Sequence, residues 1–328
     1  MHEQFTGPSE LLKQFIKCFV VFETNSLSEY QAKQRIYPRG CIDLVFHYGQ
    51  PFLFRIRNES FALEQCLIFP IIKRKFWIHF VKRGSEMKKI EERFLEIRKF
   101  CEKHKNPEIV KKYSRYFTEG YDAYGLDQKT YESQRDKWLE LWKKDFSLND
   151  FLLLGDKLIS TGKYEEASFA ISFIYSNKEN FTSRTFDKLG SWLESGIINW
   201  AHTDILSGKA LYYFFTNNII GLESLKGWTE STSKWKRRAV PVTLIEVLNT
   251  DIPLERLFQI IEPLMLDGDK FVQKGLGWFL REAWKINPEE TEGFLLKWKE
   301  TCGRTIIQYA TEKMGRENKS RFRRVKKR

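Results

Sequence analysis

Three short segments combine large aromatic rings with charges at spacings that could do chemistry. In Ile197-Ile198-Asn199-Trp200-Ala201-His202-Thr203-Asp204, Trp200 and Asp204 are four residues apart. On a helix that spacing puts an indole beside a carboxylate on one face. In Ser233-Lys234-Trp235-Lys236-Arg237-Arg238, three consecutive cations follow a tryptophan. In Phe271–Glu282, Lys274, Trp278 and Arg281 recur at helical spacing, interleaved with Gly275 and Gly277. A glycine inside a helix costs about 1 kcal/mol against alanine, so two within three residues imply a close approach. A carboxylate among π faces suits a reaction that develops positive charge, and guanidinium groups suit phosphate. Each segment also has a plainer reading: a tryptophan on a helix is commonly core, and a run of Lys and Arg is commonly a solvated face. His202 sits within the first segment but points away from Trp200 and Asp204 on a helix, which predicts a surface position.

The elements that must hold these residues are helical. From about Glu86 apolar residues recur at helical period, beginning with Ile90, Phe94, Leu95 and Ile97. The pattern predicts helices over Tyr131–Lys144, Leu148–Ser160, Tyr164–Tyr175, Leu206–Phe215, Lys234–Leu248, Leu254–Leu266, Phe271–Trp284 and Pro288–Lys299. Short links such as Thr161-Gly162 and Asn287-Pro288 separate them. Helices of this length on short links stack as antiparallel pairs, so the expected fold is mainly α, a degenerate HEAT-like superhelical array with a concave binding face. The first eighty residues differ. Arg35–Arg55 is rich in aromatic and β-branched residues, with turn signals at Pro38-Arg39-Gly40 and Gly49-Gln50-Pro51. It predicts two strands joined by a tight turn, and the apolar run Phe61–Phe80 could add a further strand. The expected division is a β-rich segment over 1–83, the helical array over 84–315 and a basic tail over 316–328.

Composition excludes several classes. A hydrophobic content of 42% in 328 residues, with 10 Trp, 13 Tyr and 27 Phe, can bury a core and argues against a disordered chain. There is no run of 18 apolar residues, and the N-terminus lacks the layout of a signal peptide. A soluble, cytoplasmic protein is expected, and a helical array of this size is expected to be a monomer. The five cysteines (Cys18, Cys41, Cys66, Cys101, Cys302) never stand in CxxC spacing, which favours reduced thiols over a disulfide framework. His2, His47, His79, His104 and His202 show no ligand spacing, so no metal is expected. Neither a phosphate-binding glycine loop nor a nucleophile elbow is present, and no cofactor is expected. The net charge is +12, and Arg316–Arg328 holds eight basic residues and one acidic. Such a tail grips phosphates through counterion release, and anionic membranes attract it equally.

In order and spacing the three segments resemble the AlkD-like DNA alkylation repair glycosylases. These are HEAT-like proteins that hydrolyse the glycosidic bond of 3-methyladenine, 7-methylguanine and bulkier cationic adducts in duplex DNA. The resemblance runs from about Gly84 to Met314. It includes Tyr124-Gly125-Leu126, Arg135, Leu139-Glu140-Leu141-Trp142, Lys163-Tyr164-Glu165-Glu166-Ala167 and Thr305–Lys313, and is most specific at Phe271–Glu282. It implies that Trp200 and Asp204 form the aromatic–carboxylate pair, that Arg238 is the active-site arginine, and that Trp278 is the second cleft tryptophan. The Arg238 fork would hold a flanking phosphate. Trp235, Lys236, Arg237, Lys274 and Arg281 are expected on the DNA. Pro241 departs from the pattern and predicts a kink just beyond Arg238. Residues 10–60 resemble the start of AraC-type sensor domains. The readings in competition are a monofunctional alkylpurine glycosylase acting on alkylated double-stranded DNA, a non-catalytic HEAT-repeat DNA-binding or scaffold protein, and a ligand-sensing regulator.

Overall fold

Helix starts in this chain are written in its capping residues. In the computed structural model, which describes residues 2–6, 19–23, 53–56, 59–62 and 72–324 (side chains from 87), Asn106, Asp127, Ser147, Asn199, Ser233, Asp269 and Asn287 each accept a backbone N–H from the first turn they precede. Each satisfies a donor that the helix cannot. Ser147 and Asp150 form a reciprocal capping box.

The chain divides into two units, Met1–Val81 and Lys82–Arg328. The first contains two antiparallel pairs. Strand β1 (His2–Thr6) pairs with β2 (Phe19–Glu23), Thr6 opposite Phe19. Strand β3 (Leu53–Ile56) pairs with β4 (Glu59–Ala62), Ile56 opposite Glu59. The turn expected at 49–51 and the strand before it lie outside the described residues, as do Cys18, Cys41 and Cys66. Helix α1 (Ile72–Lys103) corrects the sequence reading in two ways. Helix begins well before Glu86, and the second half of the Phe61–Phe80 run is helical, not strand. A short apolar run does not distinguish the two by periodicity.

The second unit continues with α2 (Pro107–Ser114), α3 (Gln128–Trp142), α4 (Leu148–Ser160), α5 (Tyr164–Tyr175), α6 (Ser183–Ser195) and α7 (Trp200–Leu206). A π-helical turn, Ser207–Leu211, joins α7 to α8 (Tyr212–Thr216). Then follow α9 (Lys226–Thr229), α10 (Lys234–Val247), α11 (Leu254–Ile261), α12 (Lys270–Ile286), α13 (Pro288–Trp298), α14 (Arg304–Ala310) and α15 (Arg316–Ser320). Helix α4 packs on α5, α10 on α12, and α12 on α14, the neighbour-to-neighbour arrangement of a helical repeat. A single core runs through these layers, from Ile90 and Trp138 to Ile306 and Phe322.

The basic tail is not a separate element as far as Arg324. Phe322 is 2% exposed, Arg321 is ion-paired with Glu292, and Arg324 donates from Nε to the Lys299 carbonyl at 3.0 Å. Alternation of basic residues with one phenylalanine gave no sign of docking. Cys101 and Cys302 are free and buried, and burial raises both thiol pKa values. No helix among the described residues is long and apolar enough to cross a membrane.

Candidate active site

Helix α7 is fixed from its first residue. Asn199 accepts the His202 N–H through Oδ1 at 2.9 Å and donates from Nδ2 to His202 Nδ1 at 2.8 Å. With Nδ1 accepting, the ring proton lies on Nε2, 2.9 Å from Ser168 Oγ, and that hydroxyl in turn donates to the Tyr164 carbonyl at 2.9 Å. The imidazole also stacks on Tyr164, centroids 4.4 Å apart. His202 is 2% exposed, and burial pushes its pKa down to about 3. The expected surface position is therefore wrong. The ring does point away from Asp204, but towards α5 rather than solvent. It is a neutral strut that holds α7.

On the other face of α7, Asp204 meets Arg238 of α10. Arg238 Nε donates to Oδ1 and Nη2 to Oδ2, both at 2.8 Å, and Nη1 donates to the Phe271 carbonyl at 2.5 Å. The arginine side chain is 7% exposed and the carboxylate 16%. Burial pushes the Asp204 carboxyl above its ordinary pKa, and the guanidinium offsets part of that push. Pro241 sits inside α10 without ending it. The amide it lacks would have bonded the Arg237 carbonyl, one turn back, and Arg238 reaches Asp204 regardless. The phosphate-holding role expected for Arg238 is not what this arrangement provides: its fork is committed to Asp204 and Phe271.

Gly275 explains how Arg238 lies so flat. A Cβ there would stand 3.2 Å from Arg238 Cγ and 3.4 Å from Nη1, and one at Gly277 would be 2.5 Å from Tyr309 Cβ. The close approach implied by the glycines is made by Arg238 and by α14. Trp278, three residues from Gly275, is half-buried on α12, and among the described residues nothing ties it to Asp204 or Trp200.

Trp200 is half-buried and lies against a segment that sequence reading passed over. Its Nε1 donates to the Tyr116 carbonyl at 3.1 Å. Its ring stacks on Phe117 (5.6 Å, 16°), which stacks in turn on Tyr121 (4.6 Å, 12°). This ladder is anchored from α5. Buried Glu165 accepts the backbone N–H groups of Tyr124, Gly125 and Leu126 at 2.8, 2.7 and 3.1 Å, and Glu166 accepts the Tyr124 hydroxyl at 2.6 Å. Gly125 has φ +82, and a Cβ there would lie 2.2 Å from the Asn106 carbonyl oxygen. Two motifs some forty residues apart, Tyr124-Gly125-Leu126 and Glu165-Glu166, are thus two halves of one clasp. The crevice between Trp200, Phe117, Trp235 and Phe271 has a volume of about 10 Å³, room for about one water and far too small for a purine.

Of the cations expected on DNA, all but Lys274 are paired within the protein. Lys236 contacts Glu194 at 2.8 Å, Arg237 contacts Asp267 at 2.6 Å, and Arg281 contacts Glu282 at 3.0 Å and Glu312 at 2.5 Å. Trp235 is 6% exposed, its ring 5.0 Å from Phe271. It is core, and not the DNA contact that was expected. Lys274 lies over the Phe271 ring at 5.8 Å, with no acidic partner among the described residues. Among those residues, no group of His, Cys, Asp and Glu could hold a metal ion.

Fold and site together define a class: a helical-repeat protein that carries a guanidinium-held carboxylate one helical turn from a tryptophan on the same helix. Residues 97–314, about two thirds of the chain, match the family model "DNA alkylation repair enzyme". The chain belongs to the DNA alkylation repair enzyme family. Residues 4–87 match a second family model, described as a domain of unknown function (DUF6597). No curated protein matches the chain. Among solved structures it is similar to a predicted DNA alkylation repair enzyme from Enterococcus faecalis, at 15% identity and a TM-score of 0.58, covering 65% of this chain and 98% of that one. That likeness bears out the helical-repeat fold. Two Streptococcus mutans structures are more distant: smu.31 (18% identity, TM-score 0.45, 57% and 95% covered) and AlkD2 (17%, 0.44, 63% and 98%).

Proposed function

We propose that this chain is a monofunctional DNA glycosylase that hydrolyses the N-glycosidic bond of cationic alkylated purines in duplex DNA. The observation that carries the proposal is the Asp204 carboxylate, held at both oxygens by buried Arg238 on the helix that also bears Trp200. A neutral purine needs a general acid to leave. An N-alkylated purine already carries the positive charge, so the electron pair of the C1′–N9 bond leaves with the base and neutralises it. The sugar left behind is cationic and oxocarbenium-like. A fixed carboxylate stabilises that charge and orients a water whose oxygen bonds C1′, with its proton passing to solvent. Each carboxylate oxygen keeps a lone pair beyond the one Arg238 engages. Arg238 then acts as a positioning residue, keeping a desolvated carboxylate ionised and immobile, while Trp200 and Trp278 offer π faces to the cation. The small crevice beside Trp200 favours a lesion that stays outside a closed pocket. Double-stranded DNA carrying alkylated bases is the partner, bound by a monomer.

A second reading, a non-catalytic DNA-binding or scaffold array, draws support from the ion pairs of Lys236, Arg237 and Arg281 and from the double engagement of Asp204. One experiment separates the two. The chain is incubated in excess with a duplex containing 7-methylguanine, and abasic sites are counted. The glycosylase reading expects their accumulation; no release at enzyme excess overturns it in favour of the second.

A further inference from the structure

While Lys236, Arg237 and Arg281 are paired, another set of cations is free of acidic partners among the described residues. Helix α2 ends in Lys111-Lys112-Tyr113-Ser114, and Arg115-Tyr116 follow. All six are exposed. Lys111, Lys112 and Arg115 have no acidic partner among the described residues; their charges lie instead against rings or in solvent. Lys112 Nζ stands 5.3 Å from the Tyr113 ring centre, and the Arg115 guanidinium 5.0 Å from that of Tyr116, whose hydroxyl Arg115 Nη2 contacts at 3.1 Å. The dipole at a helix C-terminus favours cations there, but it gives no reason for two tyrosines, 42% and 52% exposed, held between them. Lys111 and Arg115 stand one turn apart, as do Lys112 and Tyr116, so the cluster presents one surface. That surface is continuous with the candidate site, since the Tyr116 carbonyl receives the Trp200 indole proton and Phe117 stacks on Trp200. The Glu165 clasp on 124–126 ties down the far end of the same segment.

We propose that Lys111, Lys112, Arg115 and Tyr116 form a contact surface for the DNA phosphodiester backbone, which holds the duplex against the Trp200 end of α7. Unpaired cations on an exposed helix end bind phosphate through counterion release, and a guanidinium already seated on a tyrosine ring is pre-oriented to fork onto a phosphate. The inference rests on the proposed function only in taking DNA as the partner.

The test measures binding of the full chain to an undamaged duplex by fluorescence anisotropy across a salt series. The triple variant Lys111→Ala/Lys112→Ala/Arg115→Ala removes only exposed side chains, so its thermal midpoint should match the parent. Its affinity should fall by about 10- to 100-fold at low salt, and the slope of log K against log salt by roughly two to three. Tyr116→Ala should weaken binding with little change in slope. A control variant, Lys226→Ala/Arg256→Ala/Lys297→Ala, removes the same charge from cations that have acidic partners and should bind almost as the parent does. Unchanged affinity in the first variant, or an equal loss in the control, overturns the proposal. So does loss of binding to anionic phosphatidylserine vesicles with DNA binding intact, which would make the partner a membrane surface. Because the duplex carries no lesion, absence of base release by the parent leaves this result unaffected.

Discussion

The Asp204–Arg238 pair is buried, bidentate and supported by the Phe271 carbonyl. Removing one partner of such a pair typically costs about 3–5 kcal/mol, because the other charge is left uncompensated. Substitutions here must therefore be read in stability and in rate separately. His202 offers a cleaner test of placement. Its folded pKa of about 3 lies below the ordinary 6.5, so the unfolded chain takes up the proton first. The stability of neutral His202 is full above pH 6.5 and is lost as pH falls through the window down to about 3, by up to roughly 1.4 kcal/mol per pH unit. Urea midpoints measured between pH 7 and 4 should fall more steeply for the parent than for His202→Gln, and parallel slopes would contradict a buried neutral ring. Trp200, Asp204 and Arg238 were legible as residue types at spacings. The pairing of Arg238 with Asp204 was not, nor were the partners of Lys236 and Arg237, because Asp204, Glu194 and Asp267 lie 34, 42 and 30 residues away in sequence.

Among the elements, helix boundaries were well marked where an apolar stripe met a cap. Leu148–Ser160 and Tyr164–Tyr175 have the expected limits, and α10 and α13 each end one residue earlier than expected. The segment 115–127 carries no periodicity, so its place against Trp200 was hidden; what holds it is a carboxylate receiving three main-chain donors. The π turn after Asp204 was equally invisible, since one extra residue in a turn leaves little trace in composition. Helix α12 makes the element-scale prediction. Gly275→Ala should gain up to about 1 kcal/mol of helix propensity while pressing on Arg238. Base release by this variant is expected to fall severalfold with its unfolding midpoint held or raised. A rate equal to that of the parent would mean that Arg238 accommodates the methyl without moving from Asp204.

For the whole molecule, the helical-repeat fold was evident from periodicity, and the basic C-terminal stretch was misjudged. Through Phe322 and Arg324 it closes the end of the helical core instead of trailing from it. Deleting Arg316–Arg328 is accordingly expected to destabilise, by about 3–5 kcal/mol for the loss of a buried phenylalanine. That corresponds to a fall in Tm on the order of 10 °C. A melting curve checks this, and an unchanged Tm would return the tail to a free, phosphate-gripping role. The charge of the protein is thus distributed in a way that net charge conceals. Lys234, Lys236, Arg237 and Arg238 are each paired with an acid from another part of the fold, while the cluster at the end of α2 has no acidic partner among the described residues.

The central claim is that the carboxylate of Asp204, held by Arg238, assists departure of a cationic base. Single-turnover release of 7-methylguanine from a saturated duplex, compared between the parent and Asp204→Asn, tests it most directly, with duplex affinity and thermal midpoint measured alongside. The account predicts a rate at least about tenfold lower, or roughly 1.4 kcal/mol in barrier height, with affinity held or raised. Equal rates in two folded proteins of equal affinity would contradict it.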